Sequence, residues 1–259
     1  MKWVKATYGA LVIIFLMAPL VVILPLAFTS SAFLTYPIPS FSMRWFDELM
    51  TNAVWKRSIV NSLIIASSTT VLATILGTLA SMGLRNRPPF GGALRTIFLL
   101  PMVVPAVVMG VGMQVLFVRL GLINSYLGVI FAHTVLAIPF VLISVSASLA
   151  GVDPRVERAA QSLGASPVRT FSRVTLPLMM PGVLSGAALA FALSLDEVVL
   201  TLFVAGPNQR TLARQMFSTL RENISPAIAS AAFIIIVGTL IMTFVLYFVT
   251  RQIRGRKAA

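Results

Sequence analysis

Six long apolar stretches, divided by short clusters of charge, organise this chain. Between charged residues the runs extend from Lys5 to Arg44, Arg57 to Arg85, Arg95 to Arg119, Arg119 to Asp153, Arg173 to Asp196 with its continuation, and Glu222 to Arg251. Each leaves room for the roughly 20 apolar residues that carry a helix across about 30 Å of hydrocarbon at about 1.5 Å per residue. The pattern predicts an all-α integral membrane protein: one membrane domain over residues 1–259, with spans near 8–28, 58–84, 93–118, 126–149, 181–205 and 227–250. The first apolar run is longer than the core of a secretory signal, and "FTSSAF" is a poor cleavage site, so it reads as an uncleaved span.

Finer periodicities distinguish the spans. Span two places Thr69, Ala73, Gly77 and Ser81 four apart, and span five places Gly182, Gly186, Ala190 and Ser194 likewise. Such small-residue stripes let helices approach closely. Span three carries Pro101 and Pro105, which bend a helix and free carbonyls, so it is expected in the protein interior. In the segment after span one, Phe41, Trp45 and Leu49 recur every fourth residue, predicting a helix lying in the membrane interface with Trp45 and Trp55 at headgroup depth. His133, in span four, has no acid on its own helix and is expected to bond between helices rather than relay protons.

Composition agrees: 58% of the 259 residues are hydrophobic, 10% are charged, and the mean hydropathy is +0.96. The net charge of +13 does not indicate nucleic acid, because the cations lie in alternate loops rather than on one solvated face. With both termini in the cytoplasm, thirteen cations fall inside (Lys2, Lys5, Arg85, Arg87, Arg95, Arg155, Arg158, Arg169, Arg173, Arg251, Arg254, Arg256 and Lys257) and seven outside (Arg44, Lys56, Arg57, Arg119, Arg210, Arg214 and Arg221). That asymmetry predicts the orientation. Zero cysteines removes disulfides, thiolate catalysis and cysteine-based metal sites.

The loop at 150–180 departs from the apolar pattern. Asp153 before Pro154 is a helix start and Gly164 a helix stop, predicting a short helix over 154–163. Val156, Ala159, Ala160 and Leu163 share one face of it. Ser166 and Pro167 repeat the start signal, and a second short helix is expected to run to Leu176 and Pro177 before span five begins. A plain connector between helices needs about two to eight residues. A basic-flanked helix with a small-residue face instead suits a groove on another protein.

The run Arg158, Ala159, Ala160, three residues, Gly164 and Ala165, closing on Val174, Leu176 and Pro177, resembles the signature of permease subunits of binding-protein-dependent ABC importers. That signature is Glu-Ala-Ala, three residues, Gly, a spacer and Ile-x-Leu-Pro. This chain has Arg158 at the first position, with Glu157 one residue earlier and turned by about 100° around the helix, so a Glu-specific contact does not transfer to it. "SLDEVVLTLFVAGP" and "RTLARQMFSTLRENISPAIASAA" are similar to the polyamine (spermidine/putrescine-type) branch, in particular its second permease subunit.

The resemblance implies a type I importer permease of the bacterial inner membrane, whose residues 153–176 form a coupling helix region docked on a cytoplasmic ATPase dimer. Asp153, Glu157, Arg158, Ala159, Ala160, Leu163, Gly164, Ala165, Leu176 and Pro177 then belong to the coupling region. It also implies a homologous sibling permease, as heterodimer or homodimer, and an extracytoplasmic solute-binding protein. The chain has no Gly-x4-Gly-Lys-[Ser/Thr] loop, so ATP and Mg belong to the partner and no cofactor is expected here. Polyamine is the cargo the resemblance favours, with opines, aminophosphonates and other amino compounds as alternatives. An ion-coupled secondary transporter is the rival class, but such folds show related halves and intramembrane acid or histidine pairs.

At the outer end of span five, Asp196 and Glu197 follow Ser194, roughly 22 Å above Pro181 at about 1.5 Å per residue. A carboxylate facing lipid costs roughly 2.5–3.5 kcal/mol or more. Two readings stand: a negative field for an amine-bearing solute, or a structural pair with Arg210, Arg214 or the sibling chain.

Overall fold

A computed structural model of the chain describes residues 2–85 and 88–255. Arg87, Arg256 and Lys257, which enter the charge asymmetry above, lie outside them. The helices are α1 (Lys2–Leu26), α2 (Arg44–Thr51), α3 (Ala53–Arg85), α4 (Gly91–Leu99), α5 (Ala106–Arg119), α6 (Tyr126–Ala150), α7 (Pro154–Ser162), α8 (Pro167–Thr170), α9 (Leu176–Asp196), α10 (Val199–Val204), α11 (Leu212–Glu222) and α12 (Ala227–Gly255). Among the described residues five helical stretches are long and apolar enough to cross a membrane, or six if the bent pair formed by α4 and α5 counts as one span.

α3, α6 and α9 form the centre, packed mutually. The two small-residue stripes are buried here, Thr69, Ala73, Gly77 and Ser81 on α3 and Gly182, Gly186, Ala190 and Ser194 on α9. Both close on α6. A Cβ added at Gly77 would come within 2.7 Å of Val141 Cβ, and one at Gly186 within 2.9 Å of Val141 Cα. Val141, fully buried, is thus gripped from both sides. At Gly182 a Cβ would meet Ser144 O and Ser148 Cβ, each at 2.6 Å. Overpacking of this kind costs about 1–3 kcal/mol in a core that cannot yield. Gly182→Leu therefore lowers the thermal unfolding midpoint of the purified protein in detergent, whereas Gly112→Ala, at a site with open space, leaves it in place.

Several expectations are corrected. Span three is not buried within this chain. Leu100–Met102 forms a 3-10 turn between α4 and α5, which meet at 101°, and of α5 only Gly110 and Phe117 are buried. Pro101 and Pro105 break the ladder outright instead of bending one helix, because each lacks the N–H its turn requires. Val103 and Val108 remain 79% and 60% exposed within this chain. The two tryptophans expected at headgroup depth are instead buried within the chain. Phe41 precedes α2, while Trp45, Leu49 and Trp55 pack inward with Leu212, Ala227 and Ala231. The Trp45 indole donates to Ser31 O at 3.1 Å, so its polar end finds protein rather than headgroups.

Span five is not continuous from 181 to 205. It begins at Leu176, ends at Asp196 and resumes as α10, with Glu197 extended between them. Nor does a separate helix end at Leu176 and Pro177. α8 passes through a π-helical turn, Phe171–Thr175, directly into α9, with Pro177 just after that turn.

Candidate functional site

The elbow is built from local signals. Asp153 accepts the Arg155 N–H at 2.8 Å and so caps α7, and Ser166 accepts the Arg169 N–H at 3.3 Å and caps α8. Between them Gly164 takes φ +85°, a conformation that favours glycine, and the chain reverses. Most apolar positions of this face lack cover in this chain: Val156 is 46% exposed and Leu163 90% exposed, and Val168 of α8 is 76% exposed. Ala159 and Arg158 are exposed too, and Ala160 is half-buried. Beneath Leu163 lies a cleft of about 270 Å³, lined by Ala160, Gly164, Ala165 and Val174 and bordered by Arg169 and Arg173. An apolar knob with cationic edges, standing out from a membrane bundle, has the composition of a protein interface.

Glu157 does something else. Its carboxylate points into the chain, where Arg85 Nη1 donates to it at 2.6 Å and Thr175 Oγ1 at 2.7 Å. Arg85 Nη2 also donates to Val152 O at 2.8 Å. This is the one ion pair among the described residues, and both side chains are mostly covered, at 18% and 22% exposure. Burial pushes the Glu157 carboxyl up, but the hydrogen bonds from Thr175 and Arg85 and the Arg85 charge outweigh it, leaving the carboxyl below its ordinary value. Three separate elements, the end of α3, the middle of α7 and the π turn that leads into α9, are bolted together here. Leu176 and Pro177 follow Thr175 as the first turn of α9, behind the bolt rather than on the exposed face.

About 30 Å along α9 from Leu176, by helical rise, lies the break. Glu197 is not a free carboxylate: it accepts the Leu200 N–H at 2.8 Å and caps α10. Ser194 is buried and bonded to His133, Nδ1 to Oγ at 2.8 Å, while His133 Nε2 meets Thr201 Oγ1 at 3.0 Å. His133 thus joins α6 to both sides of the break. Neither arginine proposed as a structural partner reaches Asp196. Arg214 donates to Thr201 O and Ala205 O, and Arg210 to Gln215 Oε1. Asp196, exposed at the end of α9, has no hydrogen bond or ion pair among the described residues. Of the three path candidates it alone has no hydrogen-bond partner among the described residues. No cluster of three or more metal-ligating side chains occurs among the described residues.

Sequence reasoning missed Arg85, Thr175 and the tie between the 205–211 loop and α3. Asn61 Nδ2 donates to Asn208 O at 2.8 Å and Arg210 O at 2.9 Å, and Tyr126 OH donates to Asn61 Oδ1 at 2.7 Å. The available signal was Asn61 itself, a polar residue within an apolar span, which buries only with partners.

Comparison with known proteins adds the family. The profile of the binding-protein-dependent transport system inner membrane component matches residues 73–256. The chain belongs to this family. The permease is 33% identical over 246 residues to the putrescine transport system permease PotI of Escherichia coli K12, covering 90% of this chain and 86% of that one. It is 31% identical over 243 residues to the spermidine/putrescine transport system permease PotC of the same organism, with coverage of 92% and 90%. A molybdenum transport system permease, ModB of Mycobacterium bovis, is 35% identical over 238 residues, with coverage of 83% and 89%. The fold matches a bacterial alginate ABC transporter crystallised with its pentasaccharide-bound periplasmic protein, at TM-score 0.71 and 16% identity over 97% of this chain and 95% of that one. It also matches the inward-facing MetNI methionine ABC transporter, at TM-score 0.63 and 17% identity over 80% and 97%. It is a multi-pass membrane protein of the ABC permease class.

Proposed function

We propose that this permease is the translocating subunit of an ATP-driven importer in the bacterial inner membrane, with both termini and the elbow in the cytoplasm, and that its cargo is a polyamine or related amine. The chain supplies no ATP chemistry of its own; a separate cytoplasmic ATPase dimer, a sibling permease and an extracytoplasmic binding protein complete the machine. The observation that carries the reading is the pairing of an uncovered knob, Leu163 at 90% exposure, with the Arg85–Glu157–Thr175 bolt directly behind it. A push received at α7 passes into α3 and α9 together, without first bending a loop. The relatives PotI and PotC support polyamine cargo, as does the free Asp196 carboxylate at the break of α9.

Because the native chain has no cysteine, a single Leu163→Cys substitution reports docking cleanly. With the assembled transporter its thiol forms a disulfide to a cysteine placed on the surface groove of the ATPase subunit, and ATP changes the rate of its formation. A thiol at position 163 that stays unreacted across every groove position would remove the coupling role from the elbow.

A further inference from the structure

At the end of α3 opposite the elbow, two adjoining clefts of about 260 and 540 Å³ share Ala53, Arg57, Asn61 and Asn208. Arg57 and Arg85 are separated by 28 residues of one helix, about 42 Å, so the clefts open on the other side of the membrane from the coupling knob. Their lining includes Lys56, Arg57 and Arg210 and no acidic residue. Arg57 reaches only a neutral acceptor, Asn208 Oδ1 at 3.0 Å. Arg210 Nε is buried with no partner, an unmet donor that is costly to leave so. Val54 and Val60, about half exposed, and Tyr126 add apolar contact area beside the cations.

We infer that this groove receives carboxylate side chains of the extracytoplasmic solute-binding protein, with Lys56, Arg57 and Arg210 as their contacts. The inference rests on the importer reading above and adds to it the place and chemistry of docking. Three gathered cations repel an amine-bearing solute, so the groove is not the cargo's own entrance; an acidic protein surface satisfies them and is steered toward them. The same groove is wired to the break in α9. Asn208, held by Arg57 and Asn61, belongs to the loop leading out of α10, and α10 carries the Thr201 that bonds His133. A carboxylate that draws Arg57 away from Asn208 frees one of the loop's ties to α3.

The test uses the assembled transporter in nanodiscs and the binding protein encoded beside it, with ATPase stimulation followed against binding-protein concentration. Lys56→Glu and Arg57→Glu each raise the half-saturating concentration about tenfold, and the salt sensitivity of the wild-type titration is reduced; the plateau is retained in Lys56→Glu, which touches no tie of the loop. Arg57→Lys stays near wild type, and a carboxylate-to-lysine change on the binding protein recovers Arg57→Glu. Unchanged half-saturation in both reversals overturns the inference while leaving the importer reading intact. Wild-type transporter without any binding-protein stimulation would instead overturn the reading on which it rests. An effect of Lys56→Glu that appears only as the phosphatidylglycerol content of the nanodisc is varied assigns the groove to lipid headgroups, and overturns the inference too.

Discussion

Glu157→Arg abolishes ATP-dependent uptake by the assembled transporter, and adding Arg85→Glu restores a measurable part of it. Glu157 accepts two hydrogen bonds, one from a guanidinium and one from Thr175, and both partners belong to other elements of the bundle. Hydrogen bonds to charged groups contribute roughly 1.5–3 kcal/mol each, and a like-charge pair in the same place adds repulsion. Losing about 1.4 kcal/mol already shifts the clamped population tenfold, so the elbow detaches from α3 and α9. The expected signature is uncoupling: ATP hydrolysis persists while uptake falls at least about tenfold, with both measured in the same proteoliposomes. Thr175→Val, which removes the second donor alone, gives a smaller loss. A Glu157→Arg transporter that imports at the wild-type rate would show that the bolt carries no thrust.

The pH dependence follows with a definite sign. A carboxyl held below its ordinary value contributes its interaction above that value, and loses it as pH falls through the lowered one. Coupling through Glu157 is therefore constant across about pH 6 to 8. It weakens as pH falls below the ordinary carboxyl value.

Asp196→Asn is expected to raise the KM for putrescine or spermidine severalfold and to lower the maximal rate, leaving membrane insertion and assembly intact. Asp196 holds no partner within the chain, so its replacement strands no donor, and the amide is nearly isosteric. Glu197→Gln makes the contrast. That carboxylate caps α10, and its neutralisation acts on the helix break and on thermal stability before it acts on affinity. Uptake kinetics of the two variants side by side separate a field on the cargo from a structural cap. Unchanged KM and rate in Asp196→Asn for every amine tried would remove it from the path.

How far the sequence carried the structure depends on the range of the interactions. α6 and α12 follow from runs of apolar residues, and the close packing of α3, α6 and α9 follows from the four-residue stripes, because both are properties of single helices. The caps at Asp153 and Ser166 and the reversal at Gly164 were equally legible, each being settled within three residues. Helix continuity was not. The break after Asp196 depends on Glu197 turning its side chain onto the next amides, and the passage through Thr175 depends on a π turn; neither leaves a periodic trace. The partner of Glu157 was hidden for a related reason. Its motif neighbour Arg158 points outward, and the one-residue offset, about 100° around α7, turns the carboxylate onto Arg85, 72 residues earlier. Trp45 and Trp55 were drawn to the interface by their chemistry, whereas α11 and α12 offered them a core. The candidate coupling face was therefore visible from the residues, and the device that fastens it was not.

Uptake of labelled putrescine into proteoliposomes holding the permease, its sibling and the binding protein, with and without the ATPase subunits, bears most directly on the account. ATP-dependent accumulation that disappears when the ATPase subunits are left out, and also when Glu157→Arg is introduced with them present, is the predicted result. Accumulation against a gradient with no ATPase subunit in the vesicle would contradict it.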